Sequence, residues 1–191
     1  VPKSVDDPIM DAQSIIASLN VIKNCHQSKV KKVIFSSSSF VYGNKALRPT
    51  DENQPISFIS PYAISKHTVE DYLRYYNLTF GLQYVIFRYG SVYGPGQITG
   101  AMADYICKLK AGQQAEIWGD GKKTRDYVFV EDIVQANILA LKVPDNFNEP
   151  VFNVGTTTET TLNDLYHQIA KILKREAKPI YHPARPGEQI L

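Results

Sequence analysis

Apolar residues alternate between two textures along this 191-residue chain. Short runs dense in β-branched and aromatic residues, KKVIFSS at 31–37, LQYVIFRYG at 82–90 and VFNVG at 151–155, are bounded by polar or glycine-bearing segments. They predict strands buried on both faces. Between them the apolar positions take a helical spacing. Over 8–25, Ile15, Ile16, Leu19 and Ile22 make one such face, and 62–81 predicts a long helix stopped by Gly81. A polar, proline-punctuated loop runs from the first strand to Pro61.

Beyond VYGPGQ (92–97) the segments shorten. The pattern predicts a helix at 102–112, a short strand and turn at 115–121, a strand running into a helix over 126–142, and a last amphipathic helix over 161–176. Thr161 is the expected N-cap of that helix, with Asp164 three positions on, and Asp132 is expected to cap the helix before it. Buried strands alternating with helices predict an α/β fold, βαβ units around a parallel sheet.

Composition narrows the function classes. A formal charge of +2 and a pI near 8.4, with no basic stripe, give no reason to expect nucleic acid or an anionic membrane as partner. Cys25 and Cys107 lie far apart with no CxxC spacing, which reads as two buried or inert thiols in a reducing compartment. With no signal peptide and no long apolar run, a soluble cytoplasmic protein is expected. No strand is followed by the GxGxxG turn that holds a dinucleotide's pyrophosphate.

The candidate chemistry begins at FSSSSFVYG (35–43), where four serines follow the first strand. Side chains at the carboxyl ends of parallel strands face the ligand crevice. Tyr62 and Lys66, four apart on the next helix, point the same way. With 12 tyrosines in the chain, one such pair also arises by chance on a solvated helix face. The serine cluster just upstream gives the pair its meaning. A phenol titrates near ~10, too high for a base at neutral pH, and a fixed ammonium or an oxidised nicotinamide beside it would lower that value. A strand-tip hydroxyl then hydrogen-bonds the substrate oxygen. Such a triad suits hydride transfer at a carbinol carbon.

SSSSFVYG, PYAISKHTVE, FRYGSVYGPGQ, WGDGKKTRDYVFVEDI and ARPGE stand in the order and spacing of a known group. Through them the chain resembles the extended short-chain dehydrogenase/reductases, specifically the NAD-dependent nucleotide-sugar epimerases and dehydratases. The resemblance implies a Rossmann-like parallel sheet with helices on both faces, lacking its first strands, plus a small C-terminal α/β substrate-binding part. Residues 1–95 would form the second half of the NAD-binding domain. Residues 96–191 would be mostly the nucleotide-sugar part, with about 126–155 returning to the first domain. It also implies that the chain is an internal piece of a longer protein, because the glycine-rich turn and the acidic ribose ligand lie upstream of its first residue.

Carried over position by position, Ser38 matches the catalytic hydroxyl, Tyr62 the general base and acid, and Lys66 the residue that binds the nicotinamide ribose and tunes Tyr62. Ser36, Ser37 and Tyr89 fall along the cofactor wall, although strand-end packing and turn bonds are the ordinary roles of Ser36, Ser37 and Ser39. On the substrate side, Trp118 matches the ring stacked on the nucleotide base, and Arg125 and Arg185 match the pyrophosphate clamp. Glu188 matches the acid on the nucleotide ribose. Ser91 stands where the group commonly has Asn. No metal is expected. The likeness further implies a homodimer of the full-length protein, built on the first helix and the Tyr–Lys helix, with Ile15, Leu19, Tyr72 and Tyr76 turned outward.

Dehydratases of this group resemble Thr-Asp-Glu beside the catalytic hydroxyl, whereas this chain has Ser38-Ser39-Phe40 with no carboxylate. Elimination of water needs an acid and a base placed for it. Epimerisation needs only reversible hydride transfer, so the expected reaction is 4-epimerisation of a UDP-sugar, UDP-glucose/UDP-galactose first, with NAD as cofactor. A nucleotide-sugar dehydratase, a non-catalytic nucleotide-sugar-binding remnant, and a chain that completes its sheet with a separate N-terminal polypeptide remain the alternatives.

Overall fold

In a computed structural model, which describes residues 2–44, 47–142, 149–175 and 178–184, a short helix α1 (Pro2–Asp6) leads into α2 (Pro8–Gln27). Asp7 starts α2 by accepting the Met10 amide at 2.9 Å, and Pro8 fits the first helical position, where no N–H is needed. Strand β1 (Lys32–Ser38) follows and ends in a 3₁₀ turn, Ser39–Tyr42. Helix α3 (Pro61–Phe80) is capped by the Ser60 side chain and stops at Gly81, whose φ of +72° is costly for any residue with a Cβ. Strand β2 (Gln83–Tyr89) comes next.

β1 and β2 pair in parallel, with Ser38 opposite Tyr89. β7 (Val151–Val154) joins the other edge of β2 in parallel, with Tyr89 opposite Val154. The sheet order is therefore β1-β2-β7, and the three strands end level. Alternation decides the two faces. Tyr84 and Ile86 of β2 pack with Ile22 of α2 and Val69 and Leu73 of α3. Val85 and Phe87 turn the other way, against Ala140 of α5 (Val130–Lys142). Helices thus cover both faces of a parallel sheet, and the α/β expectation holds.

The shorter segments build a second, smaller core. Helix α4 (Ala101–Lys110) and helix α6 (Leu162–Ile172) contribute Tyr105, Leu109, Leu165, Tyr166 and Ile169 around Ile117. Ile117 lies on β4 (Glu116–Trp118), which pairs in parallel with β9 (Ile180–His182). Two small pairings lie between the cores. β3 (Ser91–Tyr93) runs parallel to β6 (Tyr127–Phe129), and β5 (Thr124–Arg125) is antiparallel to β8 (Thr160–Thr161). The pattern of apolar positions did not predict the five-residue helix α1 or the two- and three-residue strands β3, β5, β8 and β9, because segments this short barely show a period.

Three local expectations change. The Thr161 hydroxyl does accept the Asp164 amide at 2.9 Å, but α6 ends at Ile172 rather than 176. Helix α5 already starts at Val130, so Asp132 sits inside the first turn and is not its cap. Both cysteines are free, yet Cys107 is exposed on α4 instead of buried. No helix among the described residues is long and apolar enough to cross a membrane.

Candidate active site at the strand tips

Ser38 is the last residue of β1 and is 7% exposed. The 3₁₀ turn folds back on it, so the Phe40 amide donates to Ser38 Oγ at 3.3 Å. Tyr62 arrives from α3 and lies close enough to Ser38 for the serine hydroxyl to favour its phenolate. Its position is set by the helix start: Ser60 and Pro61 begin α3, and the Tyr62 amide donates to the buried Ser4 Oγ at 3.3 Å. One turn later Lys66 donates from Nζ to the Ser36 carbonyl at 2.8 Å. The same Nζ lies 5.8 Å from the Tyr62 ring centre and 5.1 Å from that of Phe35. The structure therefore brings Ser38, Tyr62 and Lys66 to one place.

Burial pushes the Tyr62 phenol above its ordinary range, the Ser38 hydroxyl opposes this, and the charge of Asp11 adds to it. Burial pushes Lys66 down, and Asp11 pushes it back up. The lowering of the phenol expected from its ammonium neighbour is not found: burial and Asp11 raise it, and the opposing influence comes from Ser38 rather than from Lys66. A further positive charge against the ring is needed to favour the phenolate.

Beneath this pair lies a network that the sequence reading missed. Glu70, two turns after Tyr62, is fully buried. Its Oε1 accepts from Ser37 Oγ at 2.5 Å and Arg88 Nε at 3.1 Å, and its Oε2 accepts from Arg88 Nη2 at 2.6 Å. Arg88 Nη1 donates to the Tyr42 hydroxyl at 2.8 Å, which in turn donates to Asn153 Oδ1 at 2.8 Å. Burial alone would raise the Glu70 carboxyl; hydrogen bonds from His67, Arg88 and Ser37, and the Arg88 charge, hold it at about 2 instead. The network ties α3, β1, β2 and β7 together directly under the strand tips. Two signals could have found it: a lone arginine inside the apolar run QYVIFRY, and a glutamate continuing the 62, 66 spacing to 70.

The remaining candidates divide. Ser37 turns its hydroxyl into that network, while Ser36 is exposed and offers its carbonyl to Lys66. Tyr89 is level with Ser38 but leans toward α5, where its hydroxyl accepts from Asn137 Nδ2 at 2.8 Å. A cavity of about 230 Å³ opens beside the tips, lined among others by Phe40, Arg48, Ser91, Arg125 and Glu159. Phe40 joins it to the triad. Its ring stands edge-on to Tyr62 at 6.2 Å, and the Arg125 guanidinium lies 5.7 Å from its centre. Next to Arg125, Asp126 accepts the amides of Thr156 and Thr157 at 2.8 and 2.9 Å, and a Cβ on Gly155 would collide with its carboxylate. Arg48 spans the cavity mouth, bonded to Glu159 and to Thr124 Oγ1, each at 2.7 Å. Trp118 is on β4 in the smaller lobe, stacked on His182 with ring centres 4.7 Å apart. Arg185 and Glu188 lie outside the described residues. Of the outward positions, Ile15 and Tyr76 pack against the sheet core and Tyr72 is exposed.

The family described as "NAD dependent epimerase/dehydratase family" matches residues 1–155. A putative UDP-glucose 4-epimerase of Methanocaldococcus jannaschii is 36% identical over 98% of this chain and 62% of its own length. The crystal structure of a UDP-glucose 4-epimerase with UDP-glucose, from Thermotoga maritima, superposes with a TM-score of 0.92 at 38% identity, covering 99% of this chain and 62% of that one. A human dTDP-D-glucose 4,6-dehydratase is 29% identical over 81% of this chain and 44% of its own. The chain thus spans about three fifths, 62%, of the length of the epimerases it matches.

Proposed function

The chain belongs to the NAD dependent epimerase/dehydratase family, and on that premise we propose that the whole protein is a UDP-sugar 4-epimerase interconverting UDP-glucose and UDP-galactose. One observation carries the reading: Ser38, Tyr62 and Lys66 converge at the strand tips, and the position two residues after Ser38 presents the ring of Phe40 to Tyr62 where a dehydratase of this group would have an acid.

The donor set fits a dinucleotide. A half-buried ammonium, a phenol and an exposed serine stand at the carboxyl ends of parallel strands, where hydroxyl-rich ribose and an apolar ring find partners. Lys66, Tyr62 and Ser36 are the groups proposed to hold NAD, while Ser37, whose hydroxyl is taken by Glu70, and Tyr89, whose hydroxyl is taken by Asn137, would line its wall without those hydroxyls. Bound there, NAD supplies reversible acceptance of hydride from the sugar's C4 and its return to the opposite face. Tyr62 takes the proton of the sugar 4-hydroxyl and gives it back. Ser38 holds the same oxygen, its own oxygen fixed by the Phe40 amide. Arg125 and Arg185 take the pyrophosphate, Trp118 the base, Glu188 the nucleotide ribose and Ser91 a sugar hydroxyl.

Loss of water from the sugar would need an acid at the place Phe40 fills, and this favours epimerisation over dehydration. We further propose a cytoplasmic protein and a homodimer in the full-length form. The test is Tyr62→Phe in the whole protein. Turnover of UDP-galactose falls by about a hundred-fold or more while UDP affinity is kept. Near-normal turnover overturns Tyr62 as the base, and a product lighter by one water overturns the epimerase reading.

A further inference from the structure

Arg48 stands on the loop between the 3₁₀ turn and α3, and close behind it the loop is tied to β7. The Thr50 carbonyl accepts from Asn153 Nδ2 at 2.9 Å, and Glu52 Oε1 accepts the Asn153 amide at 2.7 Å. The Arg48 side chain therefore leaves an anchored backbone. Its Nη1 makes both bonds at the cavity mouth, to Glu159 Oε2 and to Thr124 Oγ1. Arg125 Nη1 donates to the carbonyl of the same Thr124 at 2.7 Å. Two guanidinium groups from distant parts of the chain thus converge on one residue, and both line the cavity. The other charged groups on its wall are engaged elsewhere, Arg88 with Glu70 and Asp126 with the Thr156 and Thr157 amides. Glu159 is the carboxylate left to Arg48. Its side chain is half exposed, and an ion pair open to water is weak.

We propose that Arg48 is a further arginine of the diphosphate subsite, and that Glu159 is a carboxylate which the diphosphate displaces from it. Two cations held side by side repel, and an anion that reaches both removes the repulsion. A diphosphate spreads its charge over several oxygens, so it can serve both guanidinium groups at once, which one carboxylate at the mouth does not do. Both bonds of Arg48 use a single nitrogen, whereas a guanidinium can present two to phosphate oxygens. Glu159 therefore competes with the ligand for Arg48. This deepens the proposed function, because it rests on Arg125 taking the pyrophosphate.

Competition leaves a signature that a mere staple does not, because the two partners then act on the ligand with opposite sign. The experiment is calorimetric titration of the whole protein with UDP. Arg48→Ala weakens UDP by about ten-fold or more, the loss of a hydrogen bond to a charged group. Arg48→Lys, which keeps the charge without the fork, recovers part of it. Glu159→Gln tightens UDP several-fold, and in the double variant with Arg48→Ala the tightening disappears. A pair that only fastens the loop to β5 weakens UDP in both single variants alike. A general effect of negative charge tightens UDP in Glu159→Gln whether Arg48 is present or not. Either result overturns the inference, as does an unchanged affinity in Arg48→Ala. If the cycle behaves as expected and the whole protein epimerises no UDP-sugar, the functional reading fails while the role of Arg48 stands.

Discussion

The sheet and the smaller lobe close over apolar cores of similar make, but they treat charge differently. Around the sheet, Glu70 and Arg88 are buried at 0% and 3% exposure and paired with each other. Around the lobe, Asp104, Lys108, Glu116 and His182 stay at the rim and pair across partly exposed surface. A buried ion pair is poor stabilisation, because desolvating two charges offsets most of their attraction. What it supplies here is geometry. The Glu70 carboxylate takes Ser37 from one strand and Arg88 from the next, and through Tyr42 the guanidinium reaches Asn153 on the third. Three strand tips are held level under the residues that need fixed positions. The lobe, which contributes Trp118 on its rim, needs only to be packed.

That contrast breaks most visibly at Glu70. Glu70→Gln leaves the Arg88 charge buried without its counter-ion, and a loss of about 3–5 kcal/mol is expected in urea unfolding. Trp118, the single tryptophan, then reports whether the lobe melts with the sheet or after it. Acid gives a smaller and graded effect. The Glu70 carboxyl is depressed from 4.5 to about 2 by its partners, so its contribution is complete above 4.5 and is lost as pH falls toward 2. Unfolding midpoints measured across that window should drop for the native protein and flatten in Glu70→Gln. The smallest change is expected at the rim. Lys108→Ala removes pairs to Asp104 and Glu116 that are open to water, and should cost less than about 1 kcal/mol and vanish at high salt. A loss at Lys108 comparable to that at Glu70 would erase the distinction between the two regions.

Much of this was legible before any coordinates. The run KKVIFSS became β1, the segment ending at Gly81 became α3, and LQYVIFRYG became β2, because long elements carry their own period. The pairing of Tyr62 with Lys66 followed from helical spacing, and its meeting with Ser38 from the rule that strand tips face the crevice. Glu70, Arg88 and Asp11 were not read, although all three were visible as letters. A charge buried in a core and a charge on a solvated face look alike until their partners are known, and those partners sit on other elements. The same reason hid the true company of Ser37, whose place in a run of four serines says nothing of which hydroxyl turns inward.

By itself the sequence determined which of the longer segments are helices and which are strands, and it singled out three side chains suited to proton transfer, since both depend on residues near in the chain. The tertiary structure alone decided the environment of that chemistry. Packing α2 against α3 set Asp11 beside the pair, and packing α3 on the sheet buried Glu70 against Arg88. The strength of a charge depends on distance and on the water removed around it, and neither quantity is written along a chain.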